Sequence, residues 1–215
     1  YYEAWYNKGL ALLKAQRFQA AIEALDKVIE SKDPEFLKSP EFLAAWHAKG
    51  NALYRMGKYD DAIKCYAEIN KTRPNAGAWT MTGNAYSRQS KWAEAIGAYN
   101  SAIRLDPNFD TAWNNRGVGL LNLKRIPEAV QSFDTAIRVN PQHEEAWNNK
   151  GKCQLILGDQ ADALECFEKA LELNDKYVDA WLNMGNVLSK LDENEGALDA
   201  FKKVTLLDPK NKVGW

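Results

Sequence analysis

Cysteine is scarce in this chain, three in 215 residues. An odd and small number cannot build a disulfide framework, which excludes the stapled secreted mini-domain and points to a reducing compartment. Charge of one sign is lacking too. Twenty-eight Lys+Arg stand against 29 Asp+Glu, a net −1, which argues against bulk attraction to nucleic acid or anionic lipid. No long uncharged apolar run occurs, so no segment is expected to span a membrane. No signal peptide opens the sequence, and a cytoplasmic setting is expected. The chain starts Tyr-Tyr-Glu without Met, so it is expected to be a piece of something longer. Catalytic material is thin. The two histidines, His47 and His143, have no second His at metal-ligand spacing, and there is no Cys-x-x-Cys and no Gly-rich phosphate loop. Neither metal, cofactor nor enzymatic activity is expected. The length allows one or two domains with a sizeable core.

Tryptophan, by contrast, is abundant and regularly spaced. Seven of the eight fall at Trp5, Trp46, Trp79, Trp113, Trp147, Trp181 and Trp215, with gaps of 41, 33, 34, 34, 34 and 34 residues. Gly follows four residues after each of the first six, at Gly9, Gly50, Gly83, Gly117, Gly151 and Gly185. A fixed period near 34 marks a repeat array. Numbering each copy so that its Trp is position four gives repeats at about 2–35, 43–75, 76–109, 110–143, 144–177 and 178–211. An insert falls near 36–42, and a partial seventh copy at 212–215. Position 20 is Ala in all six copies (Ala21, Ala62, Ala95, Ala129, Ala163, Ala197). Position 24 is large: Leu25, Tyr66, Tyr99, Phe133, Phe167, Phe201. Position 32 is Pro in four copies.

The pattern has its own physics. Each copy carries two stretches of helical apolar periodicity, roughly positions two to 14 and 17 to 30, joined by a short polar turn. Gly at position eight falls in mid-helix, where it costs about 1 kcal/mol against Ala, and the expected reason is close approach of the paired helices. Pro at position 32 ends the second helix. One helix pair is too small to bury its apolar face, so neighbours must stack. In the insert, Ser39-Pro40 reads as an N-cap followed by Pro at the first helical position, so the next helix is expected to start a turn early. A binding loop is the alternative. The on-clock Trp are expected to pack between helices rather than form a ligand pocket.

These residues resemble the tetratricopeptide repeat (TPR), and the resemblance covers the whole chain. The texture Trp147-Asn-Asn-Lys-Gly151 resembles prokaryotic, particularly archaeal, members. The resemblance implies an all-α, right-handed α-solenoid of antiparallel helix pairs, a single array of twelve helices plus the start of a seventh repeat. The family often has Leu at position seven, whereas this chain has Lys8, Lys49, Thr82, Arg116, Lys150 and Met184.

The resemblance further implies that the first helix of each pair lines a concave groove. Position six there reads Asn7, Ala48, Met81, Asn115, Asn149, Asn183, and position nine reads Leu10, Asn51, Asn84, Val118, Lys152, Asn186. Position five adds Asn114 and Asn148, so each repeat offers at least one Asn to the predicted groove. Asn is a poor mid-helix residue, but its donor pair and acceptor match a peptide bond. By position, Asn7, Asn115, Asn149 and Asn183 resemble the asparagine ladder of the O-linked N-acetylglucosamine transferase superhelix, and Ala48 and Met81 interrupt it. The alternative is that these Asn solvate the groove or bond between neighbouring helices. Tyr54, Arg55 and Arg88, with His47, give the N-terminal half a cationic, partly aromatic character. The two-carboxylate clamp of chaperone-tail receptors is not matched at Thr80, Glu145 and Asn149. The expected function is a non-catalytic scaffold binding a peptide segment of a partner protein. The expected site residues are Asn7, Asn51, Asn84, Asn115, Asn149, Asn183, Asn186, Tyr54, Arg55 and Arg88. The alternatives are a substrate-docking arm of a larger enzyme and head-to-tail self-association through uncapped ends.

Overall fold

Helix follows helix along the chain, and no strand occurs among the described residues, which in this computed structural model are 1–31 and 36–209. The partial copy at 212–215, with Trp215, lies outside them, as do Asp33 and Pro34. The helices fall into two compact units, Tyr1–Pro107 and Asn108–Trp215. Unit 1 holds α1 (Tyr2–Lys14), α2 (Phe18–Ile29), α3 (Pro40–Arg55), α4 (Tyr59–Thr72), α5 (Ala76–Arg88) and α6 (Trp92–Leu105). Unit 2 holds α7 (Asp110–Asn122), α8 (Ile126–Val139), α9 (Glu144–Leu157), α10 (Gln160–Leu173), α11 (Val178–Lys190) and α12 (Asn194–Leu207). Each unit is a stretch of α-solenoid. Every second helix packs on its own first helix, and within a unit on the next first helix as well. First helices also touch directly, α1 with α3 in unit 1, and α7 with α9 and α9 with α11 in unit 2, so within each unit they are closely spaced.

Position eight shows why Gly stands in mid-helix. A Cβ built on Gly50, Gly117 or Gly151 would lie 2.6 Å from a ring carbon of Tyr66, Phe133 or Phe167. On Gly9 or Gly185 it would lie 2.8 Å from Leu25 or Phe201. The position-24 side chain therefore packs directly on the glycine of its own repeat, the close approach expected from the period. Tyr66, Tyr99, Phe133, Phe167 and Leu25 are among the most deeply buried side chains. The position-20 alanines beside them are also buried.

The turn inside each pair has one conformation. Gln16, Ser90, Lys124 and Asp192 adopt φ between 57° and 62°, and Gly57 and Gly158 adopt 75° and 90°. All six occupy position 15. The insert begins with a 3-10 turn at Phe36–Lys38. Ser39 Oγ then accepts from Phe42 N at 3.2 Å, with Pro40 opening α3. That helix does start early. Its added turn is held by a run of rings, Tyr2 on Phe36 (4.4 Å), Phe36 to Phe42 (6.1 Å) and Phe42 to Trp46 (6.4 Å).

The departure from Leu at position seven has a structural use. Lys8, Lys49, Arg116 and Lys150 each lie over the ring of the Trp three residues earlier, at 4.6, 5.5, 5.6 and 5.8 Å, a cation–π arrangement. Two of them also reach back to the preceding repeat, Lys49 to Asp26 at 2.5 Å and Lys150 to Asp134 at 2.7 Å. Trp5, Trp46, Trp79, Trp113, Trp147 and Trp181 are half-buried. Two indole nitrogens pin the turn between repeats, Trp147 Nε1 donating to Pro141 O at 3.1 Å and Trp181 Nε1 to Asp175 O at 2.8 Å.

Candidate functional site

The first-helix layer of each unit carries the expected site residues, and the two units arrange them differently. In unit 2, Asn115, Asn149 and Asn183 recur at one position of α7, α9 and α11. All three are half-buried. Asn149 Nδ2 donates to Asn114 Oδ1 at 3.2 Å, and Asn183 Nδ2 donates to Asn148 Oδ1 at 2.9 Å. The amides of Asn149 and Asn183 are thus tied to the position-five amides of the preceding repeats. Asn114 and Asn148 were expected in the groove, but they are buried between helices at 5% and 0% exposure. Each also donates from Nδ2, Asn114 to Asn115 Oδ1 at 3.2 Å and Asn148 to Tyr177 Oη at 3.3 Å. A buried amide without partners costs about 1–3 kcal/mol, so this chain settles where the mid-helix asparagines find compensation. Asn186 lies exposed on the same layer.

In unit 1 the asparagines meet tyrosines. Tyr66 Oη donates to Asn51 Oδ1 and Tyr99 Oη to Asn84 Oδ1, both at 2.8 Å. The position-24 hydroxyl of each repeat thus finds the position-nine amide. Burial raises the pKa of the Tyr99 phenol to about 12 and raises that of Tyr66 further, so both stay neutral donors. Asn51 Nδ2 also meets His47 Nδ1 at 3.2 Å. The signal for this pairing was in the sequence: Tyr stands at position 24 in the two repeats that carry Asn at nine in unit 1.

Arg88 Nε donates to Tyr59 Oη at 3.2 Å, and Tyr54 meets Tyr59 edge-on at 5.4 Å. Arg55 is exposed and lines a cleft of about 310 Å³ with Leu13, Lys14, Phe18 and Asn51. That cleft, which Gln16 also lines, sets two cations beside two amides and an apolar floor. Asn7 is exposed on α1.

No group of three or more His, Cys, Asp or Glu able to hold a metal occurs among the described residues. Cys65, Cys153 and Cys166 are buried free thiols, each pushed up to about 11 by burial, far from the reactive thiolate range. No helix among the described residues is long and apolar enough to cross a membrane.

The tetratricopeptide repeat pattern matches residues 1–35, 47–109, 80–136, 144–177 and 166–199. The chain belongs to the tetratricopeptide repeat family. Solved structures of similar fold include PilF of Pseudomonas aeruginosa, 16% identical, with a TM-score of 0.79 over 99% of this chain and 94% of that one. YrrB, described as a TPR protein with an unusual peptide-binding site, is 22% identical, with a TM-score of 0.65 over 90% and 96%. MamA is 22% identical, with a TM-score of 0.66 over 75% and 95%. No curated protein matches the sequence. A TPR chain of this kind is a protein-interaction scaffold.

Proposed function

We propose that the first-helix layer binds an extended segment of a partner protein. In unit 2 the segment's backbone lies along Asn115, Asn149 and Asn183. One observation supports this: Asn149 and Asn183 are each tied through a single Nδ2 bond to the repeat before. That bond fixes the side chain while using one of an amide's several hydrogen-bonding positions. A ligand then meets amides already ordered, at the spacing of one repeat, and little rotamer entropy is lost on binding. Backbone recognition of this type is tolerant of sequence. In unit 1, taken by itself, Lys14 and Arg55 beside Asn51 favour a segment carrying an acidic side chain.

The test uses peptides selected from a random display library against the whole chain. Changing Asn115, Asn149 and Asn183 together to Ala is expected to weaken them at least ten-fold, with far-UV circular dichroism unchanged. Affinity equal to that of the parent removes the reading.

A further inference from the structure

One inter-repeat junction of unit 1 lacks the device found at its neighbour. Between α2 and α3, Lys49 lies over Trp46 and bonds Asp26 of the preceding repeat. In unit 2, Lys150 does the same with Trp147 and Asp134. Between α4 and α5 both partners are replaced at once: position seven is Thr82 and position 25 of the preceding repeat is Ala67. Thr82 Oγ1 turns back to Ala78 O at 2.9 Å, and no cation covers Trp79 among the described residues. The vacated volume is a cleft of about 530 Å³, lined by Ile63, Ala67, Asn70, Trp79, Tyr86 and Ala98, with Lys71 and Glu94 also at its wall. That is the size of a ligand pocket.

Asn70 makes the cleft more than a gap. It is only 8% exposed, where four of the other five repeats carry an aliphatic residue, Ile29, Ile103, Ile137 or Leu171, and the sixth carries Thr205. Its Oδ1 accepts from Asn75 N at 3.3 Å, which fixes which end of the amide is oxygen. Its Nδ2 is buried and has no hydrogen-bond partner among the described residues. Buried donors without partners are rare, and this one belongs to a wall of a mostly apolar cleft. Lys71 and Glu94 contribute one charge of each sign and so favour no net charge on the occupant. Thr82 and Asn84 are two residues apart on α5, about 200° around the helix, so the cleft opens away from the asparagine-bearing layer.

We propose that this cleft is a second binding site, taking an uncharged aromatic or large aliphatic side chain of a partner polypeptide. The side chain lies against the face of Trp79, and the adjoining backbone carbonyl accepts from Asn70 Nδ2. The site does not depend on the first-helix layer.

The experiment titrates N-acetyl-L-phenylalaninamide into the ¹⁵N-labelled chain and follows the Trp79 indole and Asn70 side-chain amide signals. Saturable shifts at both are expected, with those of Trp147 unmoved. The double variant A67D/T82K, which installs the ion pair of the α2/α3 and α8/α9 junctions, is expected to weaken the probe at least ten-fold. T82K alone serves if the double variant loses helicity. N70L is expected to weaken the probe at least five-fold while leaving ethylbenzene binding intact. The triple Asn115, Asn149, Asn183 to Ala variant is expected to bind the probe as the parent does, so this site and the first-helix reading fail separately. Three results each overturn the proposal: no saturable shift (a water then holds Nδ2), undiminished affinity in both lysine variants, or ethylbenzene and the blocked amino acid losing equally in N70L.

Discussion

The two units share one helix-pair design and differ in what they set beneath it. In unit 1 the rings at position 24 are Tyr66 and Tyr99, and their hydroxyls are met by Asn51 and Asn84. In unit 2 the same slot holds Phe133, Phe167 and Phe201, over Val118, Lys152 and Asn186 at position nine. There the polar bonding moves to the face between first helices, as the Asn149–Asn114 and Asn183–Asn148 pairs. Unit 1 spends its asparagines within a repeat, whereas unit 2 spends them between repeats. A repeat position therefore has no fixed role, because its meaning depends on which residue stands across from it.

The part the units share should show the largest effect. Gly117→Ala drives a Cβ into the Phe133 ring at 2.6 Å, and overpacking of a rigid ring costs about 2–3 kcal/mol. The helix-propensity gain of about 1 kcal/mol works against this and leaves a net loss. A lower urea midpoint is expected. Gly9→Ala meets Leu25 at 2.8 Å, and an aliphatic chain can turn aside, so its loss should be smaller. A midpoint for Gly117→Ala equal to or above the parent's would remove the close-approach account of position eight.

The difference between units can be transplanted. Phe133→Tyr alone places a buried hydroxyl opposite Val118, at a cost of about 1–3 kcal/mol for the unmet group. Adding Val118→Asn rebuilds the unit 1 pairing and should recover about 1 kcal/mol or more in a double-mutant cycle. In unit 1, Tyr66→Phe should cost about 1 kcal/mol and much less when Asn51→Val accompanies it. Additive changes in both cycles would mean that the Tyr–Asn pairs are incidental.

The sequence carried the helices, the turns and the packing slots, because those follow from a period that recurs in six copies. The early start of α3 was legible for the same local reason, a Ser-Pro cap. Burial of individual amides was not. Asn114 and Asn149 stand at positions five and six, both expected to face the groove. Only the offset between neighbouring repeats decides that Asn114 points between helices while Asn149 bonds to it. That offset is a property of stacking, not of the period. The cleft at Trp79 was hidden differently. It needed two absences, Thr82 and Ala67, read together across a repeat boundary, and neither residue is unusual alone.

The smallest predicted effect lies in the turn at position 15. All six copies need the left-handed conformation there, and Gly57 and Gly158 supply it at φ of 75° and 90°. Lys124 adopts 59° with a Cβ in place. For an L-residue this conformation costs roughly 1–2 kcal/mol, less for Asp than for Lys. Gly loses part of that advantage to the greater entropy of its unfolded chain. Lys124→Gly should therefore raise stability by about 0.5–1 kcal/mol, and Asp192→Gly by less. The converse, Gly158→Ala, should lower it by about 1 kcal/mol. Nothing lies within 4 Å of a Cβ built on Gly158, so that loss would come from backbone conformation alone. Were Gly158→Ala to leave the urea midpoint unchanged, the turn would not be under conformational strain, and the two glycines would be there by chance.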